Sequence, residues 1–267
     1  MRREGEWELV ELAIDTVGPT ASVALSLEGR IVAEFTWPAG RRHTATLVPM
    51  IDQACRLAQV EPKALSAVFV DLGPGAYGGI RAGIATATAL ALALTVPALG
   101  VGRLEIEAYA HAASPGDIAA VHAAGRDQWA LARYRGPAGA WTELSPPNLY
   151  PAWSALLDAL PCAAASPGLL TGDLDRLSDA DRSALVAQGW ILATPAVALR
   201  RAGLLAELGW NRLQAGGDFA PGRLEPIYLR EPAIGPQPQP AAPTESQNKD
   251  LPTAAEGRHS ASLPSRK

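Results

Sequence analysis

The chain has 267 residues, 48% of them hydrophobic, with a net charge of −4 and a pI near 5.6. That length and hydrophobic share suit one large domain or two modest lobes with a real core, and they exclude a disordered chain. The mildly acidic balance argues against a free-standing nucleic-acid binder, which shows a concentrated basic face, and leaves open a subunit that reaches RNA through a partner. Cys55 and Cys162 have neither zinc-site nor disulfide spacing, so they read as small buried hydrophobes in a reducing cytoplasm. Residues 1–11 carry charges throughout and lack the apolar core of a signal peptide.

In chain order, residues 9–15 form a β run ending in an acid, and residues 21–27 and 31–37 form two more, joined by a tight turn at Glu28-Gly29-Arg30. The opening is therefore an antiparallel meander. A helix is predicted over 44–59, with Pro62 beyond its end and an apolar stripe wider than one buried face needs. Residues 67–72 have the near-continuous apolar pattern of a central strand. A glycine-rich turn, 73–79, leads into a helix over 80–94, a strand over 98–101 and a helix over 103–112. Residues 82–102 carry no charge, and the stretch is nominally long enough to span a bilayer. Pro97 and the many alanines and threonines favour a buried helix followed by a strand instead, with no membrane association.

The pattern then restarts, with strands at 117–123 and 129–135, helices at 150–160 and 180–188, and a short strand and turn at 168–172. An amphipathic helix is predicted over 195–214, with Arg200, Arg201, Glu207 and Arg212 on its polar side. From Pro232 the composition turns to proline, alanine, serine and charge without periodicity, the pattern of a disordered tail. The expected division is a first lobe over 8–102, a second over 103–231, with the 195–214 helix packing back on the first, and a tail over 232–267.

Residues 73–79, GPGAYGG, contain G-x-G-x-x-G after a strand and before a helix, the context of a dinucleotide fingerprint. The preceding meander, Pro74 at the second position, and the lack of a carboxylate about twenty residues on weigh against that reading. The glycines serve equally to turn the chain tightly and bring the helix close to the sheet, and amides at the helix start suit an anion. No G-x-S-x-G and no cysteine beside a base supports a hydrolase.

Several segments resemble one family. GPGAYGGIRAG at 73–83 is similar to the G-P-G-S-F-T-G-L-R-x-G signature of TsaB (YeaZ) proteins, of the Gcp-like, actin-like ATPase superfamily. Residues 13–16 with 22–25 resemble the family's first hairpin, 43–52 its H-S-x-x-L-x-P-x-I-D helix, and 226–230 its terminal P-x-Y-L-R. Ala76 and Gly78 stand where the signature has hydroxyl residues, and His122 stands where many relatives have an acid.

The resemblance implies an α/β, actin-like (ribonuclease H-like) fold with two βββαβα-type lobes, the second reduced. It implies a non-catalytic subunit that binds and activates a TsaD-type threonylcarbamoyltransferase acting on tRNA, without a cofactor of its own. In the TsaD sister family a metal-binding H-x-x-x-H occupies the helix after the glycine-rich one. Arg103 and Glu107 hold those positions here and are expected to pair with each other, so no metal ligands are assigned. Asp15, Thr16, Gly73, Gly75 and Arg81 mark a vestigial nucleotide or anion site. The 44–59 and 80–94 helices are expected to meet the equivalent pair of TsaD, with Leu47, Ile51, Gly83, Ala87, Leu90 and Leu94 at the contact. A TsaE-like ATPase joins the larger complex, tRNA is met through it, and a homodimer forms when the chain is alone. The alternatives are a small-metabolite kinase or ATPase of the same superfold, using Asp15 and the glycine turn on ATP, and a homodimeric scaffold.

Overall fold

The computed structural model describes residues 9–40, 42–137, 140–161 and 167–229. The expectations for the charged N-terminus up to residue 8, Cys162, Arg230 and the 232–267 tail lie outside the described residues.

Two sheets of five strands repeat one topology. In the first, β1 (Val10–Asp15), β2 (Thr20–Leu27) and β3 (Arg30–Pro38) form the antiparallel meander; α1 (His43–Ala58), β4 (Leu65–Asp71), α2 (Tyr77–Leu94) and β5 (Ala98–Val101) follow, giving the order β3-β2-β1-β4-β5. Here β4 runs parallel to β1 and β5 parallel to β4. After α3 (Arg103–Tyr109) come β6 (Ile118–Gly125), β7 (Gln128–Arg135), β8 (Thr142–Tyr150), α4 (Trp153–Ala159), β9 (Gly168–Gly172), α5 (Asp179–Ala187) and β10 (Trp190–Leu192). Their order, β10-β9-β6-β7-β8, is the first sheet's order read from the opposite edge. This duplicated meander-plus-parallel arrangement is the actin-like two-lobe fold. The second lobe is the smaller: α4 and α5 have 7 and 9 residues against 16 and 18 for α1 and α2.

Local chemistry accounts for the elements. Glu28 and Gly29 both have positive φ (52° and 74°), so β2 and β3 are joined by a two-residue turn whose twist matches the strands. Alternation along β1 divides the first lobe into two layers. Val10, Leu12 and Ile14 join the core under α1 and α2, whereas Ala13 faces Phe69, Ala202, Leu205 and Ala206 on the other side. The second layer is closed by α6 (Ala202–Ala215), the helix that returns from the second lobe to the first sheet.

Three differences from the sequence reading have physical causes. Strand β8 falls in the stretch without an assignment, because TELSPPNLY lacks apolar alternation; it is an edge strand, and its prolines sit at the register shift between the pairs of Leu131 and Arg133. Strand β10 is only three residues long. Helix α6 begins at Ala202 and not at 195, with Arg201 extended as its N-cap; Arg200 precedes the helix, its guanidinium committed to Asp15.

Candidate functional site

The strands β1 and β4 both end in aspartate, and the chain leaving each runs to the cleft between the lobes. Asp15 and Thr16 are adjacent but face opposite sides of the sheet. Thr16 lies under α2, where its hydroxyl donates to the Gly79 carbonyl at 2.7 Å. Asp15 faces the cleft, where its Oδ2 accepts from Arg200 Nε at 2.6 Å. The vestigial site expected from the sequence is thereby divided.

On the α2 side, the glycine turn is packed against the β1–β2 link. Ala76 N–H donates to the Val17 carbonyl at 2.7 Å. A Cβ on Gly75 would stand 2.1 Å from that same oxygen, and one on Gly79 would stand 2.0 Å from the Thr16 carbonyl. These glycines are required for close approach of backbone to backbone. Gly73, at φ 93°, lies against Ile80 and the Ile227 carbonyl, and Ile227 N–H donates to Leu72 O at 2.8 Å. Arg81 is exposed. Its guanidinium carbon lies 4.1 Å above the Tyr77 ring, and its Nε donates to Tyr228 Oη at 3.3 Å. Tyr77 and Tyr228 stack at 5.4 Å. The terminal motif and the glycine signature are thus one packed unit. Gly75→Ala is accordingly expected to cost about 2–3 kcal/mol through overpacking against a carbonyl that has nowhere to move; urea unfolding checks it.

The cleft holds a chain of buried charge that ties the lobes together. The Arg200 side chain, 9% exposed, reaches Asp15 at 2.6 Å, Glu107 at 3.1 Å and Asp71 at 3.5 Å. Gly18 makes room for it, since a Cβ there would lie 2.7 Å from Arg200 Nη2. Arg103 Nε pairs with Glu107 at 2.8 Å, as the i, i+4 spacing predicts, and Arg103 Nη2 pairs with Asp173 at 2.6 Å. Asp173 also accepts from the Ala123 amide and meets His122 Nδ1 at 2.7 Å. The first lobe contributes Asp15 and Asp71, the second His122 and Asp173, with α3 and Arg200 between them.

The electrostatics follow from this packing. Burial pushes the Asp71 carboxyl well above the usual carboxylate range, and the neighbouring charge of Asp15 pushes it further, against the pull of Arg200. Burial acts the same way on Asp173, but there the His122 hydrogen bond and the Arg103 charge outweigh it and hold the carboxyl low. For Arg200, burial opposes the charge and the surrounding Asp15, Glu107 and Asp71 more than restore it. The residues do not fit a nucleotide-bound or imidazole-held metal: a guanidinium stands between Asp15 and Asp71, and both positions of the sister family's H-x-x-x-H are engaged with each other. No group of three or more potential ligands is present among the described residues.

Sequence reasoning missed Asp71, Arg200 and Asp173. Asp71 was absorbed into an apolar strand, although a carboxylate closing a buried parallel strand beside Asp15 was a usable signal. Arg200 was assigned to a solvated helix face, and nothing local marks Asp173.

On the helix pair, Leu47, Ile51, Gly83 and Ala87 are buried, and Leu90 and Leu94 are half-buried against the same core. The open side of α2 carries Ala85, Ala89 and Leu92 with Arg81 as its only charge, and Leu92 is 63% exposed. On α1, Val48 and Leu57 are 58% and 69% exposed. Helix α2 is long and apolar enough to cross a membrane, but its Ile80, Gly83, Ala87 and Ala91 are buried on the sheet side.

Comparison with known proteins bears on this arrangement. The family model described as TsaD, tRNA N6-adenosine threonylcarbamoyltransferase, matches residues 37–145. The tRNA threonylcarbamoyladenosine biosynthesis protein TsaB of Bacillus subtilis (strain 168) is 33% identical over 76 residues, which are 28% of this chain and 33% of that protein. The matched stretch therefore spans about a third of that relative's length. Structural likeness extends much further. A Pseudomonas aeruginosa protein described as similar to peptidase YEAZ superposes with a TM-score of 0.67 at 28% identity, covering 83% of this chain and 99% of its own. YeaZ from the same organism gives 0.66 and 26% with the same coverage. With the glycine signature, the terminal motif and the two-lobe topology in place, these likenesses support assigning the chain to the TsaB/YeaZ family.

Proposed function

We propose that this chain is the non-catalytic partner of a TsaD-type threonylcarbamoyltransferase, which it binds and activates for N6-threonylcarbamoyladenosine formation on tRNA. The observation that carries this reading is the open face of α2, where Ala85, Ala89 and Leu92 leave an apolar strip in solvent. An ordinary surface helix places charge there. Small residues let a second helix approach closely, and Leu92 with the exposed Val48 or Leu57 of α1 supplies anchors. The relatives' roles in threonylcarbamoyladenosine biosynthesis support the assignment of the partner.

The filled cleft supports the non-catalytic half of the proposal. Arg200 supplies inside the protein the positive charge that an actin-like ATPase takes from its nucleotide-bound metal, so Asp15 serves as an ion-pair partner. A TsaE-like ATPase and tRNA join through the complex, in the cytoplasm where tRNA is modified. Reconstitution tests the proposal. The TsaD-type subunit of the same organism should transfer threonylcarbamoyl to tRNA faster when this chain is added, and the chain alone should transfer none. Transfer by the chain alone, or an unchanged rate on its addition, contradicts the reading.

A further inference from the structure

A cavity of about 390 Å³ opens on the opposite side of the first sheet from α1 and α2, between α3, α6 and the start of β8. Its volume lies within the range of small-molecule sites. Tyr109 and Trp141 form an aromatic wall, and Glu105, Glu143, Asn211 and Arg212 supply the polar groups. The wall is held in place. Tyr134 stacks on Trp141 at 5.2 Å with the planes 8° apart, and Tyr109 meets Trp141 edge-on at 5.3 Å. Tyr109 in turn donates its hydroxyl to Glu207 at 2.9 Å.

The charge pattern selects the ligand. Arg212, the one cation among the lining residues, is already engaged by Glu105 and by the Gly100 carbonyl. Glu143 lies exposed at the rim and makes no ion pair among the described residues. One carboxylate is therefore left uncompensated beside electron-rich rings. An anion would find no free donor charge here, and a purely apolar molecule would strip water from Glu105, Glu143 and Asn211 without replacing it.

The geometry points to a binding site for a small organic cation of the ammonium class, held by cation–π contact with the Trp141 and Tyr109 wall and by the Glu143 carboxylate. Such a cation gains from both features at once, the ring quadrupole and the opposite charge. Glu105 senses the same groups: burial raises its carboxyl, Arg212 lowers it, and the charge of Glu143 raises it again. The site is independent of the α2 face and of the role proposed for it.

Choline and its neutral isostere 3,3-dimethyl-1-butanol separate charge from shape. Each is titrated into the full-length chain while the Trp141 indole N–H resonance is followed by NMR. Choline should shift that resonance saturably, and the isostere should bind at least about tenfold more weakly. Glu143→Lys, on an exposed edge-strand position, should weaken choline at least about fivefold while circular dichroism shows the fold intact. Equal binding of the two probes, an unmoved Trp141 resonance, or undiminished choline binding by the Glu143→Lys protein overturns the proposal.

Discussion

Replacing Arg200 with alanine is expected to destabilise the protein by about 3–5 kcal/mol, because it strips the counter-charge from carboxylates that remain buried. For a domain of this size that is a fall of roughly 10 °C in Tm. The effect has a definite pH dependence. Without the guanidinium, the Asp71 carboxyl loses a neighbouring charge that holds it down, so its folded-state pKa rises further above its unfolded value. A carboxyl raised in this way leaves the folded state most stable below its unfolded pKa, and that stability is lost as pH rises through the folded pKa. The deficit of the variant should therefore be largest at pH 8 and shrink toward pH 5. Asp71, already raised in the parent protein by burial and by Asp15, sets the direction. Adding Asp15→Asn to Arg200→Ala should restore a substantial part of the loss by removing one stranded charge. Thermal melts of the three proteins across that pH window measure this. A deficit independent of pH would mean that Arg200 contributes packing and not charge compensation.

The second large effect belongs to the α2 face. Leu92→Arg places a long cation at a 63% exposed position in the last turn of the helix, where it suits the helix dipole. Monomer stability should change by no more than about 0.5 kcal/mol. Affinity for the TsaD-type subunit should fall by at least about 30-fold, the loss of one central anchor with a charge left in its place. Ile51→Asp would not make the same test. Ile51 is 6% exposed and packs in the first core, so a charge there unfolds the first lobe before any interface is probed.

The contrast between Ile51 and Leu92 shows how far the residues could be read before the fold was known. The width of the apolar stripe on 44–59 and the lack of charge on 82–94 announced helices with two apolar sides. Which side faces the sheet depends on where the sheet lies, and periodicity does not carry that. Leu47, Ile51, Gly83 and Ala87 took the core side, while Ala85, Ala89 and Leu92 were left outward. The first lobe was legible because its meander alternates, its turn is sharp and β5 is bounded by Pro97 and Gly102. In the second lobe, β8 carries prolines at a register shift, and three residues of β10 are too few to show a period.

The cleft divided in the same way. Arg103 and Glu107 were readable as a pair because both lie on one helix, four residues apart. The Arg200–Asp15 contact joins positions separated by 185 residues and comes from α6 packing back on the first sheet. Long-range closure of that kind leaves no local trace. The glycine signature, conversely, was recognised correctly as a sequence and only explained by the structure: Gly75 and Gly79 meet the carbonyls of Val17 and Thr16.

The most direct measurement for the central claim is a calorimetric titration of the full-length chain against the TsaD-type subunit of its own organism. Saturable binding with a Kd of about 1 µM or tighter, weakened at least about 30-fold by Leu92→Arg with the monomer still folded, is the result predicted here. No heat of binding from the unsubstituted chain at tens of micromolar, or equal binding by the Leu92→Arg protein, would contradict it.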